Sequence, residues 1–428
     1  MEQSGARVPC GPLEVPPARA QHGRQRGGGG RVEAVVRGGA IALALEDQAP
    51  GQQGNGLGAR RRRALQRDQS VLRSARVELA ARRDERAHLV GGRALSDGGD
   101  LFAQPQDRIT TASSGTAAIA GAILGTAGRA TGARPLAAIP AFTFVATANA
   151  VEQCGYRPYL VDVDPDTWML DPDALAGHPQ LDRVGVVVPV AAFGRPVAQA
   201  RWHAFSERTG IPVVIDGAAC SDRVAAAPDG YFGSIPVAMS FHATKGLSTG
   251  EGGCVVASDP QQMSDIQQAL NFGFVVSRNS GCSALNGKMS EYHAAVGLAE
   301  IDGWPDKRRA LEDVACGYRR ALLELDLADR LFAAPEVSLS YVLFDCRDAD
   351  AAAAIRRSLA SRGIDSRRWY GEGLGEHEYL ADATRAGDLA VTQALGCRLL
   401  GLPVAPDLTA AEIGRVATAL AAGVWSRR

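Results

Sequence analysis

Residues 240–253 read Ser-Phe-His-Ala-Thr-Lys-Gly-Leu-Ser-Thr-Gly-Glu-Gly-Gly. An apolar run, 235–239, precedes this stretch and Cys-Val-Val, 254–256, follows it, which predicts a strand that delivers a lysine into a glycine-rich loop and a second strand that leaves it. The chain contains three lysines, Lys245, Lys288 and Lys307, among many arginines. Arginine cannot lose its proton and attack a carbonyl, so the amine at 245 indicates chemistry. The alternative is a solvated loop lysine.

Length and charge restrict the class of protein. At 428 residues the chain suits two or three domains, and its formal net charge of −1 gives no argument for a nucleic-acid or membrane-surface partner. No apolar run reaches the roughly 20 residues of a membrane span, and no secretory signal opens the sequence. The eight cysteines form no Cys-x-x-Cys pair, and neither a metal-binding spacing nor a dinucleotide-binding motif is present. We expect a cytoplasmic enzyme without a bound metal.

Residues 1–104 differ from the rest of the chain. They contain a glycine run, 27–30, an arginine run, 60–63, and no aromatic residue before Phe102. A segment of this composition buries little apolar surface, so we predict disorder. An alternative is an out-of-frame translation of GC-rich coding sequence, which gives the same bias toward arginine, glycine and alanine. Because no aromatic residues interleave with the arginines, we do not favour a nucleic-acid contact.

From about Arg108 onward, apolar strands alternate with helices, which predicts an α/β fold with a mainly parallel central sheet. In such sheets the site lies at the carboxyl ends of the strands. Four side chains come just after apolar runs and are expected to converge on one pocket: Thr116, Phe144, Asp216 and Lys245.

The pattern changes again after Gly-Trp-Pro, 303–305. We predict a long helix from Lys307 to Leu325, a strand at 337–344 and a closing helix at 409–425. The expected organisation is therefore a large domain, 105–305, followed by a smaller C-terminal α+β domain, 306–428.

The residues expected in the pocket suit one cofactor. Ser-Gly-Thr-Ala, 114–117, places N–H groups and hydroxyls at a helix start, where a phosphate binds well, although a simple N-cap explains the same pattern. A buried Asp216 needs a cationic partner, either an arginine such as Arg223 or a protonated heterocyclic nitrogen. Phe144 is either core or a stacking face. With the amine of Lys245, these groups describe a site for pyridoxal 5′-phosphate (PLP).

Seven motifs in order resemble the DegT/DnrJ/EryC1/StrS sugar aminotransferases, PLP-dependent transaminases of fold-type I. They are Ser-Gly-Thr-Ala-Ala (114–118), Pro-Ala-Phe-Thr-Phe-Val-Ala-Thr (140–147), Val-Asp-Val-Asp (161–164), Val-Ile-Asp-Gly-Ala-Ala (214–219), Ser-Phe-His-Ala-Thr-Lys (240–245), Thr-Gly-Glu-Gly-Gly (249–253) and the run 285–298. The resemblance covers about residues 108–428. Asn-Phe-Gly-Phe, 271–274, together with the run at 287–292, is most similar to members acting on dTDP-4-keto-6-deoxyglucose.

The resemblance implies a role for individual residues. Lys245 would be the lysine that binds the cofactor covalently, and Asp216 would pair with its pyridine nitrogen. The remaining cofactor contacts implied are Thr116, Ala117 and Ser240 on the phosphate, Phe144 on the ring, His242 nearby, and Asn286 on the phosphate of the neighbouring subunit of a homodimer. Arg278, Trp369 and His377 are candidate substrate contacts.

The expected activity is transfer of an amino group from glutamate to a nucleotide-linked keto sugar, for cell-surface polysaccharide or secondary-metabolite synthesis. A related enzyme that removes a sugar hydroxyl has histidine at the position of Lys245, so lysine favours transamination. Two features depart from the family: Ala219 replaces a glutamine or histidine, and the N-terminal pocket segment is not recognisable in 1–104. They leave open a catalytically impaired or N-terminally damaged relative that serves as a binding or regulatory protein.

Overall fold

The computed structural model describes residues 101–274 and 278–425, which belong to one compact unit. The prediction of disorder for 1–104 falls almost wholly outside these residues. The described strands are β1 Ile109–Ala112, β2 Leu136–Pro140, β3 Arg157–Val161, β4 Val184–Val187, β5 Ile215–Asp216, β6 Val237–Ser240, β7 Gly253–Val256, β8 Leu331–Phe332, β9 Leu343–Asp345, β10 Thr384–Ala386 and β11 Leu399–Gly401.

The α-helices follow the strands in alternation through the first two thirds of the described chain. They are α1 Gly115–Thr126, α2 Ala146–Gln153, α3 Pro172–Ala176, α4 Gln199–Thr209, α5 Ser221–Ala226, α6 Pro260–Leu270, α7 Glu291–Leu323, α8 Ala349–Ala360, α9 Ala390–Arg398 and α10 Ala410–Trp425.

The large sheet is mainly parallel, as predicted. The strands β10, β3, β2 and β4 lie in that order and are parallel, and β5 and β6 form a second parallel pair. Parallel bridges from Val187 to Val213 and from Val190 to Asp216 connect the two sets. Among the strands that the structure describes in this sheet, β7 is the antiparallel one, between β6 and β1. The strands β2 and β4 are buried along their whole length, as expected of a sheet that helices cover on both faces.

Helix α1 approaches its neighbour α6 unusually closely. A Cβ atom at Gly125 would lie 2.6 Å from the backbone nitrogen of Ile266, and one at Gly121 would lie 2.5 Å from Leu270 Cδ2. The glycines therefore allow the alanine-rich helix to sit between the sheet and α6, which fixes the position of its N-terminus over the sheet.

The long helix α7 begins at Glu291, sixteen residues before the start predicted from the sequence. The Ser290 hydroxyl caps it by accepting a hydrogen bond from the His293 N–H at 3.3 Å, and the helix continues through Pro305. The change of pattern after 303–305 predicts a boundary there, whereas Pro305 lies inside the helix. The division into domains 105–305 and 306–428 thus falls inside a helix and stays a prediction.

The small sheet, in the order β11, β9, β8, is antiparallel and packs with α8 and α10. Its central strand is shorter than predicted: within 337–344 only the end is extended, because residues 338–341 form a turn closed by the Tyr341 N–H on the Ser338 carbonyl at 3.0 Å. Within the described ranges, no helix is both long and apolar enough to cross a membrane.

Candidate active site

A cavity of about 440 Å³ lies at the carboxyl ends of β5 and β6, within the size range of small-molecule sites. The four side chains expected to converge, Thr116, Phe144, Asp216 and Lys245, all line it. Ser240, His242 and Trp369, also expected at the site, line it as well. The parallel topology explains this grouping, because successive strands deliver their last residues to the same edge of the sheet.

Asp216 ends β5 and is only 3% exposed. Its Oδ2 accepts a hydrogen bond from the Thr147 hydroxyl at 2.7 Å, and its Oδ1 accepts one from the Ala218 N–H at 3.0 Å. Burial raises the pKa of this carboxyl, against the opposing effect of the two hydrogen bonds and of the charge on Lys245. Within the described part of the chain the carboxylate forms no ion pair, so Arg223 is not its partner. Asp216 is therefore a buried acid at a cavity wall without an ion-pair partner among the described residues.

The N-terminus of α1 forms the opposite part of the wall. Ser114 caps the helix through its hydroxyl, which accepts from the Ala117 N–H at 3.1 Å. Ser240 lies so close that a Cβ atom at Gly115 would be 2.6 Å from the Ser240 Cβ, so glycine is required there. The first N–H groups of a helix have no acceptor within the helix and carry its positive end. With the hydroxyls of Thr116 and Ser240, this region suits an anion.

Lys245 lies in the loop after β6, half-buried, with its amine directed to the C-terminal part of the chain. Its Nζ donates a hydrogen bond to the Tyr341 hydroxyl at 3.1 Å. Tyr341 is 5% exposed, and burial raises the pKa of its hydroxyl, an effect that the negative charge of Asp222 reinforces. The amine therefore faces the cavity beside a neutral phenol.

Phe144 is 59% exposed although it follows the buried strand β2 and lines the cavity. An exposed large apolar side chain at a concave site is a binding surface rather than core. His242 is exposed too, with its Nδ1 3.0 Å from the Thr244 hydroxyl and its Nε2 3.6 Å from Glu251. Both side chains are available to a ligand.

Aromatic side chains build the wall opposite the strand ends. The Tyr370 ring stacks on Phe193 with centroids 4.5 Å apart, and Tyr341 meets Phe193 and Trp369 edge-on, each at 5.2 Å. Ala219, which stands where the resembling family usually has glutamine or histidine, is 6% exposed and belongs to the same buried cluster as Phe193 and Tyr341.

Four predicted site residues do not line the cavity. The Ala117 N–H is engaged by the Ser114 cap, and Arg278 and His377 are exposed away from the cavity. Asn286 is exposed and forms an antiparallel bridge with Asn271. Their proposed contacts stay predictions.

Thr147, Tyr341 and Tyr370 are among the lining residues that were not candidates from the sequence. Thr147 carried a signal: together with Thr143 it places two hydroxyls four residues apart, and these lie 3.0 Å from each other in the structure. Tyr341 lies in the run 337–344, whose sequence pattern predicts a strand and gives no sign of a turn.

Comparisons with known proteins agree with this geometry. Residues 102–421 match the DegT/DnrJ/EryC1/StrS aminotransferase family. Protein Rv3402c of Mycobacterium tuberculosis H37Rv is 31% identical over 338 residues, which cover 77% of this chain and 80% of the relative.

Two solved structures share the fold. A Bacillus cereus ATCC 10987 protein, solved under the name PLP-dependent aminotransferase, superimposes with a TM-score of 0.69 at 25% identity, covering 77% of this chain and 90% of its own. DesI, solved in the presence of its TDP-sugar product, superimposes with a TM-score of 0.66 at 27% identity, covering 78% and 84%.

The fold-type I architecture and the family match, which spans well over half of the sequence, lead to the same assignment. The chain belongs to the DegT/DnrJ/EryC1/StrS aminotransferase family, whose members are PLP-dependent sugar aminotransferases.

Proposed function

We propose that this protein transfers the amino group of glutamate to dTDP-4-keto-6-deoxyglucose, in the synthesis of a cell-surface polysaccharide or a secondary-metabolite sugar in the cytoplasm. The observation that carries the activity is the buried carboxylate of Asp216, which faces a cavity without an ion-pair partner among the described residues while the amine of Lys245 lines the same cavity. The TDP-sugar product of DesI, 27% identical over most of both chains, supports the sugar class.

The cavity fits PLP group by group. The N-terminus of α1 with Thr116 and Ser240 suits the phosphate, and the exposed ring of Phe144 offers a stacking face. Asp216 has no ion-pair partner among the described residues, and a protonated pyridine nitrogen would supply one, lowering the pKa that burial raises. His242 lies at the rim and Trp369 on the aromatic side. We assign the cofactor to these residues and to Lys245, and a substrate contact to Trp369.

Individual residues then have separate roles in the reaction. Bound PLP supplies a carbonyl that takes up the donor's amino group and a ring that accepts electrons from the donor's α-carbon. Lys245 Nζ would accept the proton from that carbon and return it to the cofactor carbon on the other side of the transferred nitrogen. Water would then release the donor as a keto acid, and the same steps in reverse would aminate the keto sugar. Asp216 keeps the ring nitrogen protonated, while Thr147 and the Ala218 N–H hold the carboxylate in place. General acid–base catalysis of this kind contributes about 10²- to 10⁴-fold.

Replacing the lysine tests this assignment. Lys245→Ala should lose the visible absorbance of covalently bound PLP. Its PLP should also react with glutamate at least about a hundredfold more slowly than that of wild type. Lys307→Ala is the matched control, since it removes the amine that pairs with Glu300 outside the cavity. A Lys245→Ala protein that converts glutamate as fast as wild type would exclude Lys245 as the base. Product assays with nucleotide-linked keto sugars then identify the acceptor.

We further propose a homodimer with shared sites, in which Asn286 contacts the phosphate held by the neighbouring subunit. Asn286 is exposed and pairs with Asn271, which is adjacent to Phe272, a 44% exposed aromatic. Two inactive variants, Lys245→Ala and Asn286→Ala, should restore activity when refolded together, because each mixed dimer contains one intact site. Equal amounts should recover about a quarter of the wild-type sites. No recovery, with mixed dimers demonstrated, would confine each site to one subunit.

Ala219 supports a second candidate, a relative with impaired catalysis that acts as a binding or regulatory protein. A side chain that would reach the cofactor is replaced by a methyl group buried among aromatic rings. Under this alternative, added PLP would leave the melting temperature unchanged, whereas a PLP enzyme gains about 2.7 kcal/mol of stability at a hundredfold excess of cofactor over its Kd.

A further inference from the structure

The amine of Lys245 has a partner that the proposed function does not use. Its Nζ lies 3.1 Å from the Tyr341 hydroxyl and 5.8 Å from the centre of the Tyr341 ring. Among the described residues, this is the hydrogen bond that fixes where the amine points. Tyr341 is buried and lines the cofactor cavity together with Lys245.

Tyr341 is itself held rigidly. It closes the turn 338–341, and Asp222 anchors that turn by accepting the Leu339 N–H at 2.6 Å through its Oδ2. Phe193 and Trp369 both pack edge-on against the ring, at centroid distances of 5.2 Å. Asp222 also lies beside Gly246, where an added Cβ atom would come within 3.1 Å of the aspartate Cβ. One buried carboxylate therefore fixes the turn that carries the hydroxyl and borders the residue after Lys245.

The Tyr341 hydroxyl is chemically suited to bond to Lys245 Nζ, a base whose charge changes during the reaction. Burial, with the negative charge of Asp222 next, raises the pKa of Tyr341, so the phenol keeps its proton at neutral pH. A neutral hydroxyl donates to an uncharged amine and accepts from an ammonium group. It can thus remain bonded to Lys245 Nζ in both protonation states without exchanging a proton with it.

We infer that Tyr341 is a second catalytic residue, whose hydroxyl aims the ε-amine of Lys245 and stabilises it after it has taken a proton, and that Asp222 positions it. The inference rests on the proposed role of Lys245 as the base. The uncharged amine accepts the proton from the donor's α-carbon and becomes an ammonium group, one of whose N–H bonds donates to Tyr341 Oη. When the ammonium group gives that proton up, the phenol rotates its own O–H toward the nitrogen lone pair.

The hydrogen bond can be observed without the cofactor and without turnover. The sequence contains three lysines, so reductive ¹³C-methylation of the apo protein gives a readable spectrum in which Lys288 and Lys307 serve as internal references. We expect the Lys245 signal to stand apart from these two and to move in Tyr341→Phe, with the reference signals unchanged. A Lys245 signal in wild type that coincides with the signals of Lys288 and Lys307 would overturn the inference, even if the variant failed to fold.

The catalytic role is tested in single-turnover reactions of the PLP-loaded protein with glutamate and with α-deuterated glutamate. Tyr341→Phe should keep the visible absorbance but slow its loss by about ten- to a hundredfold, as expected for a hydrogen bond to a charged group. The deuterium isotope effect should grow because proton transfer becomes more limiting. Tyr318→Phe is the matched control: it removes an equally buried hydroxyl, bonded to the Pro403 carbonyl at 2.9 Å, and should react within about twofold of wild type.

The outcomes separate the two proposals. Wild type that reacts with glutamate while Tyr341→Phe matches it in rate and isotope effect overturns the role of Tyr341 and leaves that of Lys245. Wild type that binds PLP but does not react overturns the proposed function and, with it, the catalytic role of Tyr341. Asp222→Asn, which offers the Leu339 N–H a weaker acceptor, should show a smaller loss of rate than Tyr341→Phe with an enlarged isotope effect; an unchanged isotope effect would exclude its positioning role.

Discussion

The cavity has two unlike walls. The strand-end wall, formed by Thr116, Phe144, Asp216, Ser240 and Lys245, carries polar groups that follow buried strands. The C-terminal wall, formed by Tyr341, Trp369 and Tyr370, is aromatic and comes from turns. The sheet fixes the first wall, whereas side-chain packing and the anchor at Asp222 fix the second. We therefore expect substitutions of the charged residues in the strand-end wall to remove chemistry, and substitutions near the C-terminal wall, apart from those at Tyr341 and at its anchor Asp222, to change packing.

The largest effect after loss of Lys245 is expected at Asp216. Asp216→Asn keeps the shape of the side chain but removes the charge that would hold the ring nitrogen protonated. Loss of one such electrostatic contact costs about 10²- to 10³-fold in rate. Single-turnover loss of visible absorbance with glutamate measures it. A loss below tenfold would mean that other groups, for instance in the C-terminal wall, stabilise the protonated ring nitrogen. The distinction between the two walls would then be weaker.

The sequence could predict the strand-end wall because its signal is local. Asp216 directly follows Val-Val-Ile, and Lys245 lies six residues after the apolar run 235–239. A polar residue shortly after an apolar run already indicates its place at the sheet edge. Helix boundaries could be predicted less well from the sequence, since α7 continues through Pro305. The position of Tyr341 could not be predicted in this way, because the turn within 337–344 depends on Asp222, more than a hundred residues away. Long-range hydrogen bonds leave no periodic pattern in a sequence.

Next in size is the effect of enlarging Ala219, the residue where the walls meet. Ala219→Gln introduces a longer side chain into the cluster that contains Phe193 and Tyr341. Overpacking of this kind costs about 1–3 kcal/mol, measured as the free energy of unfolding in urea. Ala226→Gln, on an exposed position of α5, is the control and should change stability little. If Ala219→Gln is as stable as wild type, the cavity accepts the longer side chain. The C-terminal wall would then leave free the space that glutamine occupies in other members of the family.

The stability of the apo protein should also depend on pH, because Asp216 is buried. Burial raises the pKa of Asp216 above the value near 3.9 of an unfolded chain, so the folded state binds more protons than the unfolded state above about pH 4. Stability therefore falls as the pH rises through this window. Asp216→Asn removes this contribution and should be more stable than wild type at neutral pH, with little difference at about pH 4. Asp222, whose pKa burial also raises, keeps part of the pH dependence in both proteins. Thermal unfolding of the two apo proteins across this range measures it, and a less stable Asp216→Asn at neutral pH would contradict it.

The smallest effect is expected at Phe144, the one apolar member of the strand-end wall. Because its side chain is 59% exposed, Phe144→Ala should leave the free energy of unfolding of the apo protein nearly unchanged. If the ring stacks on the cofactor, its loss should weaken PLP binding by about 0.5–1.5 kcal/mol, a rise in Kd of about two- to tenfold. Tyr379→Ala removes another exposed ring, 62% accessible and outside the cavity, and should leave the Kd unchanged. A variant that loses stability but keeps its affinity would instead make Phe144 a packing residue, and the aromatic contact with the cofactor would then have to come from the C-terminal wall.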